Sequence, residues 1–243
     1  MAGIKDKDSE PTCKEIFMNH TFTFTMLAIS CLYFVITGIQ FWVTDYMTTV
    51  IKLDKKLVFT FFGVVSITST LCGVVVGGII IHRFGGYSTP KSFKMCLAMA
   101  FAAGVVGAPI PFVTNAALLG IFLSLLLFCG SFIMPSLTGK MISCVPKPHR
   151  AYANSMGAIF MNLLGYLPAP FLYGLVDQLD GEKSNAGMIL LMCWIFLGAF
   201  LLMLAVIASE KIWCFRPPKR RKLMGLGDVP MVVLEAKFPI AES

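Results

Sequence analysis

The residues of this chain best suited to chemistry are neutral hydrogen-bonding side chains set at helical spacing. Tyr33, Thr37, Gln40 and Thr44 lie at offsets of 0, 4, 7 and 11 residues, one face of a helix, and Asp45 and Tyr46 continue the polar end. Ser155, Asn162, Tyr166 and Tyr173 lie at offsets of 0, 7, 11 and 18, again one face. Hydroxyls and amides of this kind hold a solute by donating and accepting hydrogen bonds. Polar side chains avoid lipid, so each stripe is expected to meet protein or a water-filled cavity. The plainer use is bonding between helices, at about 0.6 kcal/mol per contact. Two stripes on two helices favour a cavity wall. The candidate solute contacts are therefore Tyr33, Thr37, Gln40, Asp45, Tyr46, Asn162 and Tyr166.

Machinery for covalent catalysis is missing. There is no H-E-x-x-H, no G-x-S-x-G, no phosphate-binding loop and no pair of carboxylates inside an apolar run. His20, His82 and His149 are far apart, and the eight cysteines include no C-x-x-C pair. Cys31, Cys72, Cys96, Cys129 and Cys193 fall in apolar runs, where a thiol acts as a small hydrophobe. The chain is not expected to be an enzyme, to hold a metal or cofactor, or to bind nucleic acid.

The elements that position the stripes follow from composition. Hydrophobic residues make up 57% of the 243 residues and charged residues 14%, against roughly a quarter charged in a soluble domain. Mean hydropathy is +0.79. A spanning helix needs about 20 mostly apolar residues, and six runs qualify: about 22–44, 57–81, 93–112, 116–142, 151–176 and 188–208. Ionisable residues are nearly absent from them. Unbroken apolarity excludes a transmembrane β-barrel, whose strands alternate over about ten residues. The expected fold is all-α: a polytopic membrane protein with six transmembrane helices over residues 21–208.

Basic residues orient the helices. Sixteen of the 20 lysines and arginines fall in the two tails and the even-numbered loops, and four (Lys52, Lys55, Lys56, Lys183) on the other side. This positive-inside asymmetry places both termini in the cytosol. Residues 1–20 form a polar tail with no apolar signal core, and the Asn19-His20-Thr21 sequon should stay unmodified there. Residues 209–243 form a basic tail whose cluster, Arg216, Lys219, Arg220, Arg221 and Lys222, is expected to anchor topology at the anionic leaflet.

Two spans carry further signals. In the fifth, Pro168 and Pro170 each remove a backbone donor between Gly165 and Gly174, so a helix break is expected there. Broken helices recur in transporters, where freed backbone lines a cavity or hinges a gate. In the second, Gly73 and Gly77 form a G-x-x-x-G pair suited to close helix packing.

Gly78-Ile79-Ile80-Ile81-His82-Arg83-Phe84-Gly85-Gly86, after the second span, resembles the G-x-x-x-D-R-x-G-[RK] motif of the major facilitator superfamily. Gly78, Arg83 and Gly85 match, while His82 stands for the usual Asp and Gly86 for a basic residue. Val145-Pro146-Lys147-Pro148-His149-Arg150, followed by Leu164-Gly165, Pro168, Pro170, Gly174 and Asp177, is similar to the corresponding helix of spinster-like and organic-anion transporters. Gly38-Ile39-Gln40-Phe41-Trp42, leading to Asp45-Tyr46, fits the same group. The likeness covers about residues 12–210 and is to the C-terminal six-helix half of that fold. It implies alternating-access transport of an organic solute, anionic or lipid-like, with Gly78, His82, Arg83 and Gly85 supporting a cytosolic gate. A complete member has about twelve helices in two halves. The implied partners are the lipid bilayer, the solute, and a second six-helix half or another copy of the chain. The alternative is a non-transporting membrane subunit that keeps the half fold.

Overall fold

The computed structural model describes residues 16–87, 89–180 and 185–214. Most of the N-terminal tail, Lys183 and the basic C-terminal cluster lie outside the described residues. Six helical stretches are long and apolar enough to cross a membrane, and no strand occurs among the described residues.

Helix α1, His20–Thr49, starts at Asn19, whose side-chain oxygen accepts a hydrogen bond from the Phe22 amide. The Asn19 amide also donates to the Cys144 carbonyl at 3.0 Å, tying the start of α1 to the loop before the fifth span. Helix α2, Lys55–Arg83, ends in a left-handed turn at Gly85 and Gly86, with φ of +94° and +83°. The Gly86 amide reaches back to the Ile81 carbonyl at 3.0 Å, a helix-stopping bond that glycine permits. Helix α3, Pro90–Gly107, has proline at its start, where no donor is lost, and leads into a short 3₁₀ turn at Ile110–Phe112. Helix α4, Ala116–Ser143, is capped by Asn115, which accepts from the Ala117 amide at 2.9 Å.

The fifth span is built in pieces. A 3₁₀ turn at Lys147–His149 leads into α5, Arg150–Met161, then a π turn, Asn162–Tyr166, then α6, Pro168–Asp180. Pro168 and Pro170 cannot donate to the carbonyls four residues back, so the regular ladder fails around them. The Leu167 amide bonds Asn162 five residues back instead, at 2.9 Å. Helix α7, Ala186–Cys214, completes the bundle.

Most helices overrun the apolar runs read from the sequence, whereas α3 stops at Gly107 and the 93–112 run ends in a 3₁₀ turn. Thirty residues of α1 span about 45 Å, against a hydrocarbon core of about 30 Å. Apolarity marks the part in lipid, while the helix continues until a cap or a glycine stops it. Lys140, counted with the basic side although the 116–142 run contains it, sits in the last turn of α4. It is buried, with Nζ 5.2 Å from the centre of the Phe93 ring.

Packing is broadest between α2 and α4 and between α1 and α7, with α3 wedged against α4 and α7. Glycines set the closest approaches. A methyl group on Gly73 would stand 2.6 Å from the Phe128 carbonyl, and one on Gly77 2.8 Å from that of Phe132. The G-x-x-x-G pair therefore seats α2 on α4. Two apolar clusters form the core. One, around Phe22, Ile81, Phe132 and Met141, lies at the end where α1 begins; the other, around Phe34, Met47, Leu119 and Met188, lies at the opposite end.

Candidate functional site

The two polar stripes meet along the contact between α1 and the fifth span. Gly165 makes that contact possible: a methyl there would lie 2.7 Å from the Ser30 carbonyl and 2.8 Å from Tyr33 Cβ. With glycine in place, the π turn sits directly on α1. The Tyr33 and Tyr166 rings then lie 4.7 Å apart. Farther along, Trp42 stacks on Tyr173 at 5.0 Å and 14°, and its indole nitrogen donates to the Pro170 carbonyl at 3.1 Å. Gly174 leaves room for the indole; a methyl there would stand 2.9 Å from Trp42 Cζ2.

The α1 stripe divides. Gln40 and Asp45 are exposed, Tyr33 and Thr44 are half-buried, and Thr37 and Tyr46 are buried. The Tyr46 hydroxyl donates to the Pro111 carbonyl at 3.1 Å, which anchors the turn after α3 to α1. The Thr37 hydroxyl is buried without a hydrogen-bond partner among the described residues. Asp45 accepts from the Thr48 and Thr49 hydroxyls through its backbone carbonyl, at 3.0 and 2.8 Å. On the fifth span Ser155, Asn162 and Tyr166 are exposed, whereas Tyr173 is buried. Asn162 donates to the Ala158 carbonyl in its own helix at 2.8 Å, which satisfies one donor and leaves the amide at the surface. Gln40, Asp45, Asn162 and Tyr166 thus face outward from this chain. Thr37 and Tyr46 face its interior.

Trp42 and the Pro170 carbonyl are neighbours of the candidate site that the stripes did not select. Indole is amphipathic, and its spacing next to the stripe carries no polar signal. A tryptophan two residues after Gln40, facing a span rich in proline and glycine, was the available hint.

The motif after α2 is laid out at the helix end. Gly85 has the left-handed conformation that stops α2. A methyl on Gly78 would meet open space, so packing within this chain does not require glycine there. His82 and Arg83 are exposed. An ion pair joins other elements, Lys94 of α3 and Glu210 of α7, at 2.6 Å between exposed side chains. Such a pair contributes about 0–1 kcal/mol.

Chemically the arrangement offers hydrogen bonds and aromatic faces. Among the described residues, no cluster of three or more His, Cys, Asp or Glu side chains could hold a metal ion.

Residues 5–115 match the family model described as the Organic Anion Transporter Polypeptide (OATP) family. No curated protein matches the chain. The OATP match covers less than half of the chain and takes in α1 to α3, with Gln40, Asp45, Tyr46 and the Gly78–Gly86 motif inside it. The fifth span, with Asn162, Tyr166 and the two prolines, lies beyond the OATP match. So does the stretch whose resemblance extends to spinster-like transporters.

Proposed function

We propose that this chain is one six-helix half of a secondary transporter for organic solutes. It works by alternating access together with a second six-helix half, either another copy or a separate chain. The observation that carries this reading is the outward-facing set Gln40, Asp45, Asn162 and Tyr166, on two helices that already touch. Polar and ionisable groups on a lipid-facing surface are unfavourable, so the set needs protein or water opposite. The match of α1 to α3 to an organic-anion transporter family supports a solute path as the use of that surface. In such folds the solute sits at the midplane between two repeats, and each repeat supplies one wall. Here Tyr33, Gln40 and Tyr166 would form this chain's wall, and the π turn would let α5 and α6 bend relative to each other. His82 and Arg83 would face the partner at the cytosolic gate, with both termini on that side.

Native mass measurement in nanodiscs, followed by liposome uptake with organic anions, lysolipids and sugars, tests the reading. A paired species that moves an organic anion is expected, with uptake reduced by Gln40→Ala and Tyr166→Phe. A stable monomer that moves solute would remove the second half from the proposal. A paired species inert toward every solute would favour a structural subunit.

A further inference from the structure

Between α1, α2 and α4, at about the middle of each helix, lies a cavity of about 240 Å³. Leu32, Ile36, Phe62, Val74, Leu127 and Met134 give it an apolar lining. Four hydrogen-bonding side chains break that lining: Gln40, Ser66, Thr70 and Ser131. Among the described residues no charged side chain borders it. Two further observations point to an occupant. The Ser66 hydroxyl is buried and has no hydrogen-bond partner among the described residues, although buried polar groups are normally paired. Gly130, also on the lining, is buried, yet a methyl group on it would meet nothing within 4 Å. The helices have left this space open where a larger residue would fit.

Volume and chemistry narrow the ligand. At about 240 Å³ the cavity is smaller than the roughly 300–1,000 Å³ typical of sites that enclose a drug-sized molecule. It therefore takes one end of a longer molecule, with the remainder leaving past exposed Thr70 and Val74. An apolar wall at mid-membrane depth without a cation disfavours a carboxylate or sulfate, because an unpaired charge there is strongly penalised. It suits hydrocarbon carrying a hydroxyl that can bond Ser66 or Gln40. We propose that this cavity binds the hydroxyl-bearing end of an uncharged, long-chain amphiphile drawn from the bilayer, within this single chain. The site lies apart from Tyr33 and Tyr166 and shares Gln40 with the proposed solute wall.

A diazirine-bearing long-chain alcohol, photolysed with the full-length chain in nanodiscs, reads the site directly. Labelling is expected on the α2 and α4 peptides around Ser66 and Gly130. The unlabelled alcohol should compete, and the alkyl sulfate of equal chain length should compete ~tenfold less well, a difference of about 1.4 kcal/mol. Gly130→Leu, which fills the open space, should remove most labelling while leaving the melting temperature unchanged or higher. Ser66→Ala should weaken the alcohol's competition and leave that of the corresponding alkane unchanged. Equal labelling of Gly130→Leu, or equal competition by the alkyl sulfate, overturns the proposal. If Gly130→Leu does not fold, Ser66→Ala decides: no difference between alcohol and alkane would sink it. Because binding is read on this chain alone, loss of the transport reading leaves this inference standing.

Discussion

Helix α1 and the fifth span carry similar polar stripes, yet the bundle treats them oppositely. The most apolar stretch of α1 is 67% buried within the chain, and that of the fifth span 22%. Helix α1 is continuous, with Phe22, Phe34 and Met47 fully enclosed. The fifth span is interrupted by a π turn and leaves Leu167 and Phe171 largely exposed. The same side-chain types therefore have different meanings. In α1, part of the stripe serves internal structure, as Tyr46 does through its bond to the Pro111 carbonyl. In the fifth span Ser155, Asn162 and Tyr166 lie on a surface that this chain does not cover, and only Tyr173 of that stripe is buried, against Trp42. A polar stripe in an apolar run identifies a helix face that avoids lipid; the neighbours decide whether that face is core or interface.

The sharpest contrast between the two regions comes from their phenylalanines. Phe34 is fully buried and stacked on Trp194 at 4.4 Å, whereas Phe171 is 69% exposed. Phe34→Ala should destabilise the chain by about 3–5 kcal/mol, and Phe171→Ala by about 0.5 kcal/mol or less. Denaturant unfolding in detergent measures both. Similar losses would mean that the fifth span is as central as α1, and the contrast would fail.

The glycine contacts come next in size. Gly165→Ala pushes a methyl against the Ser30 carbonyl and should cost about 1–3 kcal/mol. Gly78→Ala meets open space and should leave stability within about 0.5 kcal/mol. A neutral Gly165→Ala would show that the fifth span does not depend on seating at α1.

Trp42→Phe keeps an aromatic face for Tyr173 but deletes the donor to the Pro170 carbonyl. Double-mutant cycles in membrane bundles average about 0.6 kcal/mol for such bonds, so a loss near that value is expected. Hydrogen exchange should rise mainly in α6, the element the indole holds. Exchange rising equally in α7 would point to general loosening instead.

The smallest effect separates a solute contact from a core residue within one stripe. Thr37→Val removes a buried hydroxyl with no partner among the described residues, so stability should stay level or rise by up to about 1 kcal/mol. Solute uptake should be unaffected. A clear loss of uptake would place Thr37 in the solute path after all. Asn162→Ala should show the opposite pattern, with stability held and uptake reduced.

Much of this was legible in the residues themselves. Six apolar runs separated by short polar loops demand six helices, because hydrocarbon leaves backbone amides no partner outside the helix. Gly73 and Gly77 announced a close helix contact, and Pro168 with Pro170 announced a broken ladder, because each acts through its own backbone. Other features needed neighbours far along the chain. The sequence could not say that α4 receives the glycine pair, that the broken ladder closes as a π turn at Asn162–Tyr166, or that Lys140 is buried beside Phe93. Nor could it divide the stripe on α1, since Thr37 and Gln40 lie one turn apart on the same face. Which of them is enclosed depends on how α2, α7 and the fifth span crowd around α1. Helix formation and lipid solubility are local properties of a segment, so composition and spacing determine them. Enclosure is a property of packing between distant segments, and only the tertiary structure decides it.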